Sequence, residues 1–229
     1  MSKRHPKGLF SEQDLAVQEF NRIFRAAEQN LARSKRIVEF VEQLNRIAAK
    51  DDVVVADVLR AAVVLCHATL EDALRIIGRK SLQNTELSNR VALKGYNAGG
   101  GAKKYELRDL LAFKGKTVET IITESIDDFL QCQTFNSTEN ILRFLSSISV
   151  EPAVSRKTDL QGLDEMIARR HKIVHECDLE TTGHHRQLRQ LTPEQVKGWI
   201  EITRLFLIAI SNDFTERQSI RQTQTKASK

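Results

Sequence analysis

Cysteine and long apolar runs are both scarce in this 229-residue sequence. The three cysteines, Cys66, Cys132 and Cys177, have no paired spacing, and their odd number argues against a disulfide framework. We expect reduced thiols that are mostly packed. No segment approaches eighteen uninterrupted apolar residues, and the basic N-terminus lacks the apolar core of a signal peptide. These absences predict a cytoplasmic protein that does not enter a membrane.

Strand patterns and helix breakers are scarce as well. No alternating apolar run of strand length is present, and proline and glycine are absent from Ser11 to Lys50. Apolar residues recur instead at steps of three and four. A hydrophobic content of 41% and a charged content of 28% exclude wholesale disorder. The sequence therefore predicts an all-α fold, an up-and-down bundle of about six to eight helices.

The chain length suits one domain of ordinary size, which we place at residues 10–214. Residues 1–9 are expected to form a basic flexible arm, and residues 215–229 a disordered tail. Consecutive glycines interrupt the helical pattern and predict a flexible insertion at about residues 84–104. Gly78 is expected to end the second helix.

Local signals also mark helix starts. Asn136-Ser137 has N-cap chemistry, as does Asp159 or Thr158 at the start of the later helix, and Thr192-Pro193 combines an N-cap threonine with proline at the first helical position. The polar segment from Thr181 to Arg189 is predicted to be a loop.

The segment from Leu163 to Asp178 concentrates the candidate chemistry on one helical pattern. With about 100° per residue, Arg170 lies at the centre of the apolar stripe. A guanidinium cannot lose its proton, so Arg170 must meet a carboxylate, a phosphate or a second subunit. The flank of the stripe holds Asp164, His171, His175 and Asp178. His171 and His175 are four residues apart and are expected to stack.

Two interpretations of these residues remain open. In one, Arg170 forms a salt bridge to a neighbouring helix and the histidines are solvated. On the second helix, His67, Glu71 and Arg75 would then form a surface ladder at four-residue spacing. In the other, Glu71 or Asp72 holds Arg170 or a site histidine in place, with His67 beside them.

Arg170-His171-Lys172-Ile173-Val174-His175 resembles the Arg-x4-6-His motif of HEPN domains. These are all-α RNases and RNA-binding modules of toxin–antitoxin, abortive-infection and CRISPR-associated systems. The segment from Leu59 to Arg75 resembles the long early helix of the branch linked to RiboL-PSP proteins. That branch also opens with a helix like the one from Asn30 to Leu44. Together these similarities cover most of residues 10–214.

The resemblance implies a metal-independent endoribonuclease whose catalytic form is a homodimer with a composite site. RNA supplies its own nucleophile, the 2′-hydroxyl, so the protein needs a proton-transfer group and a fixed cation. We assign these roles to His175 and Arg170, with His171 orienting the phosphate or sharing proton transfer. Asp164 is a supporting residue. A toxin or anti-phage role, with an antitoxin or regulatory partner, is implied by the resemblance alone.

Two other functions remain open. Many HEPN domains only bind RNA or a protein partner, and a net charge of +5 is compatible with RNA. For the endoribonuclease we expect a site with no metal and no cofactor. The third alternative is a metal-dependent hydrolase. Its candidate ligands are His171, His175, Cys177, His184 and His185.

Overall fold

The computed structural model describes residues 12–47, 52–83, 111, 113–150, 159–182 and 185–227. Its helices are α1 (Glu12–Ile47), α2 (Asp52–Leu82), α3 (Val118–Gln131), α4 (Thr138–Ser147), α5 (Leu160–Glu176) and α6 (Pro193–Ala227). A two-stranded antiparallel sheet, β1 (Leu179–Thr182) and β2 (His185–Leu188), follows α5. The all-α prediction is confirmed, with six helices in the described ranges.

The described residues form two compact units. Unit 1 contains the chain up to Ala73 and from Asp159 onward, and unit 2 runs from Leu74 to Val150. The expected arm at residues 1–9 and the expected insertion at residues 84–104 both lie outside the described residues. Whether the chain behaves as one domain stays a prediction.

Two long helices, α1 and α6, build the core of unit 1. They run antiparallel, because Glu42 near the end of α1 forms an ion pair with Lys197 near the start of α6. The distance from Lys197 Nζ to Glu42 Oε1 is 2.6 Å. The buried residues of both helices recur at steps of three and four, as expected for amphipathic helices. They are Ile23, Ala27, Leu31, Val38 and Val41 on α1, and Val196, Trp199, Ile200, Phe206, Leu207 and Ile210 on α6.

Helix α5 packs against α6 at a glycine. A Cβ atom at Gly162 would lie 2.5 Å from Ile202 Cδ1 and 2.7 Å from Asp159 Oδ2. The same Asp159 caps α5, because its side chain accepts a 2.9 Å hydrogen bond from the Gly162 amide. Glycine therefore permits a close approach between the first turn of α5 and α6.

A buried thiol marks the contact between α2 and α6. Cys66 donates a 3.4 Å hydrogen bond to Thr203 Oγ1, and Thr203 donates to the carbonyl of Trp199 at 2.9 Å. Burial raises the pKa of the Cys66 thiol to about 11. The expectation of mostly packed thiols is wrong for the other two cysteines, because Cys132 and Cys177 follow helix ends and are exposed.

Unit 2 consists of the last turns of α2 together with α3 and α4. The rings of Phe135 and Phe144 meet edge to face at 5.1 Å, and the Arg75 guanidinium lies 5.2 Å from the centroid of the Phe135 ring. Arg75 also donates hydrogen bonds to the carbonyls of Leu130 and Gln133 at the end of α3. This arginine is thus a cap for α3.

Gly78 does not end α2, which continues to Leu82. A Cβ atom at this position would lie 2.5 Å from Phe144 Cζ and 2.8 Å from Leu130 Cδ2. The prediction of a helix end was wrong because this glycine serves packing: it lets α3 and α4 side chains approach the helix backbone.

Three predicted helix starts are confirmed. Ser137 and Asp159 cap α4 and α5. At α6, the Gln195 amide donates to Thr192 Oγ1 at 3.3 Å, and the Thr192 amide donates to Gln195 Oε1 at 3.1 Å. These reciprocal bonds form a capping box, with Pro193 at the first helical position.

Two segments near the C-terminus differ from expectation. The polar loop prediction for 181–189 is wrong, because β1 and β2 pair from Leu179↔Leu188 to Thr182↔His185. Strands of four residues are too short to produce a recognisable alternation. Helix α6 reaches Ala227, into the range where we expected a disordered tail, and no proline or glycine interrupts it there.

Residues Val53–Leu82 of α2 are long and apolar enough, by length and composition, to cross a membrane. This was not anticipated, because charged residues interrupt the apolar run. The helix also supplies core residues of the protein, and a core helix passes the same test. Leu59, Val63, Leu70 and Leu74 are all at most 1% exposed.

Alanine substitution at two helical glycines of unit 1 should change the free energy of unfolding in opposite directions. Gly162→Ala should lower the free energy of unfolding by about 1–3 kcal/mol, because the added methyl group has no space. Gly198→Ala on α6 is the matched control. Nothing lies within 4 Å of its Cβ position, so it should raise stability by about 0.5–1 kcal/mol. Urea denaturation measures both, and equal effects would contradict the close approach at Gly162.

Candidate active site

Helix α5 ends in an unusual turn. Cys177 and Asp178 both have positive φ angles, 53° and 55°, although neither is glycine. The Asp178 amide donates a 3.0 Å hydrogen bond to the carbonyl of Lys172, which closes the helix. The left-handed conformation is unfavourable for such residues, so the surroundings must hold it in place. The helical wheel placed Asp178 beside the histidines, and this is wrong because the helix ends at Glu176.

The Asp178 carboxylate is fully buried and contacts two arginines. Arg60 of α2 places its Nε atom 2.8 Å from Oδ2. Arg169 of α5 places Nε 2.8 Å from Oδ1 and donates from Nη2 to Oδ2 at 2.9 Å. A two-point contact of this kind fixes the orientation of both groups. Asp178 balances one of these two largely buried positive charges, and the more exposed Asp57 lies 3.2 Å from Arg60 Nη1, so the remaining guanidinium protons need other acceptors.

Backbone carbonyls provide those acceptors. Arg60 Nη2 donates to the Arg189 carbonyl at 2.9 Å, and Arg169 Nη2 donates to the carbonyls of Arg189 and Gln190 at 3.1 and 2.8 Å. The Arg189 amide in turn donates to the Asp178 carbonyl at 3.0 Å. We call Arg60, Arg169 and Asp178 the arginine–aspartate cluster. It connects α2, α5 and the segment after β2.

Arg170, the next residue on α5, has a different environment. Its side chain is half-buried, and its Nε atom is buried without a hydrogen-bond partner. It forms no ion pair with any residue that the structure describes. Among the described residues, Arg169 rather than Arg170 forms a salt bridge, and its partner is Asp178 in the turn after α5, not a residue of a neighbouring helix. Within the described part of the chain, Arg169 therefore has a carboxylate partner and Arg170 has none.

His171 and His175 lie together on the exposed side of α5. Their ring centroids are 4.5 Å apart with an angle of 45° between the planes, and both side chains are exposed. The four-residue spacing predicted this contact. Two imidazoles in contact with solvent are suited to accept one proton and release another.

Whether the residues proposed on α2 support Arg170 stays a prediction. Glu71 is half-buried and Asp72 exposed, and neither forms an ion pair or hydrogen bond with a described residue. His67 is fully buried, so the surface ladder beginning there is wrong: the residue belongs to the packed face of α2. Asp164 is half-buried on α5, one turn and a half before Arg170.

The candidate metal ligands are only partly described. Within the described ranges, no group of three or more histidine, cysteine, aspartate or glutamate side chains could hold a metal ion. His184 lies outside those ranges, and the side chain of His185 is not described. The metal-ligand hypothesis for this set stays a prediction.

An apolar groove lies beside α5, between this helix and α2. It is lined chiefly by Ala61, Val64, Leu65, Ala68 and Ile173, with Asp57, Arg60 and Cys177 also contributing. Val174 on the same helix is 48% exposed. The motif helix therefore presents apolar surface to solvent next to its polar residues.

Sequence reasoning missed the arginine–aspartate cluster. Arg60 is 6% exposed, although charged residues are rarely buried unless paired. Its position inside the most apolar helix of the chain was a usable signal, because such an arginine needs a buried acceptor. The turn at Cys177 and Asp178 left no comparable signal, since neither residue type is the usual choice for a left-handed helix end.

Comparison with known protein families gives a match over most of the chain. The model of the family described as RiboL-PSP-HEPN matches residues 28–216, which include all of α2 and α5. No curated protein and no solved structure matches the chain.

Alanine substitutions at the adjacent residues Arg169 and Arg170 should have different effects on stability. Arg169→Ala should lower the free energy of unfolding by about 3 kcal/mol, because it removes half of the counter-charge of a buried carboxylate. Arg170→Ala should change it by less than about 1 kcal/mol, because only packing is lost. Chemical denaturation of both variants measures this difference. Similar losses at both positions would contradict the assignment.

Proposed function

The chain belongs to the RiboL-PSP-HEPN family, and on this premise we propose that it is a metal-independent endoribonuclease. HEPN domains are nuclease or RNA-binding modules, so the family supports action on RNA and leaves the chemistry to the residues. Arg170, His171 and His175 are the residues that we propose for cleavage.

The observation that carries the proposal is the state of Arg170. The residue is half-buried, its Nε atom is buried without a hydrogen-bond partner, and the carboxylate of Asp178 is paired with Arg169. A cation held in this way favours an anionic ligand, because partial burial weakens its hydration. The phosphodiester of RNA is such a ligand, and the exposed pair of histidines on the same helix can transfer protons beside it.

The proposed reaction needs no external nucleophile or metal ion. A base removes the proton of the 2′-hydroxyl, and the 2′-oxygen forms a bond to the adjacent phosphorus. The bond from phosphorus to the 5′-oxygen breaks, and an acid protonates the leaving oxygen. The products are a 2′,3′-cyclic phosphate and a 5′-hydroxyl. We assign proton transfer to His175, with His171 sharing it, and stabilisation of the phosphorane charge to Arg170.

One chain does not bring these groups around one phosphate in an obvious way. On a regular helix, Arg170 and His175 project about 140° apart. Two copies that pair through the apolar groove and Val174 would let the arginine of one copy face the histidines of the other. We therefore propose a homodimer with a composite site.

The same separation supports a second candidate, a non-catalytic RNA-binding module. In that case Arg170 binds a phosphate and the histidines contribute only contacts. A cellular role as a toxin or anti-phage effector in the cytoplasm, held in check by an antitoxin, remains a proposal based on the family resemblance.

Cleavage assays with end-labelled RNA in EDTA should distinguish these candidates. Wild type should produce 2′,3′-cyclic phosphate ends, and Arg170→Ala and His175→Ala should each lower kcat/KM by about 10²- to 10⁴-fold. Glu176→Ala is the control, because it changes an exposed residue next to His175. RNA binding without cleavage by wild type would identify the binding module. Activity that requires added metal would turn attention to His171, His175, Cys177, His184 and His185.

Mixing the two inactive variants should test the composite site. If subunits exchange freely, half of the dimers pair an Arg170→Ala chain with a His175→Ala chain. In each of these, one of the two sites keeps both residues, so about a quarter of the wild-type rate should return. Mixing Arg170→Ala with an Arg170→Ala, His175→Ala double variant should restore nothing. A mixture that stays inactive although subunits exchange would contradict a site shared between copies.

A further inference from the structure

Helix α1 carries a line of basic side chains far along the chain from the candidate active site. We call Arg22, Arg25, Arg33, Arg36 and Phe40 the arginine stripe. All five side chains are exposed, and Phe40 is 54% exposed. With about 100° per residue they fall within a sector of about 80°, and they extend about 27 Å along the helix. Gln29 and Gln43 lie in the same sector and are exposed as well.

The stripe lies opposite the face that packs inside unit 1. The buried residues of α1 are Ile23, Ala27, Leu31, Ser34, Val38 and Val41. Their average direction is about 150° from that of the stripe on the helical wheel. The arginines are therefore not needed to attach α1 to α6, and replacing them leaves the core contacts of α1 intact.

The guanidinium groups of the stripe have no acidic partner among the side chains that the structure describes. Arg22, Arg25 and Arg36 form no ion pair or hydrogen bond with any of those side chains. Arg33 donates only to the neutral side chain of Asn30, at 3.3 Å. Arginines elsewhere in the described part of the chain are commonly paired with carboxylates. Examples are Arg60, Arg79, Arg143, Arg169, Arg189 and Arg204.

The described acidic side chains of α1 lie on one flank of the stripe and face other cations. Glu39 is 4.0 Å from Lys35, and Glu42 is 2.6 Å from Lys197. Glu28 interacts electrostatically with Arg204 of α6, whose pKa is raised mainly by the hydrogen bond to Glu201 and to a smaller extent by Glu28. No described carboxylate pairs with the four positive charges of the stripe, and their potentials add.

Phe40 gives the stripe a second property. A large aromatic side chain at the surface loses apolar burial unless a partner covers it. Aromatic rings next to a line of cations are the combination by which proteins hold single-stranded nucleic acids: phosphates contact the cations and a base stacks on the ring. An acidic protein partner would use the arginines but would have no planar base for Phe40.

We propose that the arginine stripe is a binding track for single-stranded RNA, separate from the residues that cleave it. The inference rests on the proposed function insofar as RNA is the partner. It does not follow from the family match, because Arg22 and Arg25 precede the matched residues 28–216. The track adds affinity for RNA on either side of the cleaved bond and makes binding strongly dependent on salt.

The experiment measures binding of a single-stranded RNA to full-length protein over a range of salt concentrations. All proteins carry His175→Ala so that the RNA stays intact. The stripe variant changes Arg22, Arg25, Arg33 and Arg36 to glutamine. The control variant removes the same number of charges by changing exposed Lys35, Lys114, Lys116 and Arg143 to glutamine. A third protein carries Phe40→Ala alone.

The stripe variant should bind about 100-fold more weakly at 0.1 M salt, and the slope of log K against log salt should become about 3 units shallower. Phe40→Ala should weaken binding about fivefold without changing the slope, because stacking releases no counterions. The control variant should retain most of the parent's affinity. Circular dichroism checks that all variants keep their helix content.

Equal losses in the stripe and control variants would overturn the proposal, because net charge alone would then explain binding. Retained RNA binding by the stripe variant, together with lost binding of poly-glutamate, would overturn it in favour of an acidic protein partner. A parent that binds no RNA would contradict the proposed function itself. If these results overturn the track, cleavage should be measured on a protein that carries the stripe substitutions but keeps His175. RNA cleavage by this protein would show that the proposed nuclease stands and that only the track is wrong.

Discussion

The ion pairs of the buried Asp178 carboxylate are the interactions on which the candidate site depends. Arg60 reaches it from α2 and Arg169 reaches it from α5, while backbone carbonyls after β2 accept the remaining guanidinium protons. Each ion alone would be costly to bury, so the three side chains stabilise the native arrangement only together. This mutual dependence explains why Cys177 and Asp178 adopt a left-handed backbone conformation, for which glycine is the usual residue.

The cluster also explains the different states of two consecutive arginines. Arg169 pairs with Asp178, whereas the next residue, Arg170, has no carboxylate partner among the residues that the structure describes. The histidines occupy the exposed side of the same helix, and an apolar groove runs beside it. The proposed nuclease site thus rests on a helix whose C-terminal end is held firmly by charge, whereas its reactive side chains face outward. The arginine stripe on α1 adds a second, independent surface for RNA.

Much of the fold was predictable from local chemistry. Ser137, Asp159 and Thr192 cap helices as their side chains suggested, because a cap depends only on atoms within one turn. Gly78 shows where this reasoning stops. Its effect on a helix depends on whether Phe144 and Leu130 need the space, and that is decided by residues more than fifty positions away. The short hairpin was missed because four-residue strands carry little periodic signal.

Helical periodicity and a short local motif were enough to predict the all-α class, the family, and the motif helix with its histidines four residues apart. Neither signal requires knowledge of distant contacts. The pairing of Arg169 with Asp178 became visible only in the folded chain, as did the departure of Asp178 from the helix to meet Arg60 from 118 positions earlier. Arginine and aspartate look the same in a sequence whether exposed or buried. Their ionic partners are chosen by the packing of whole helices.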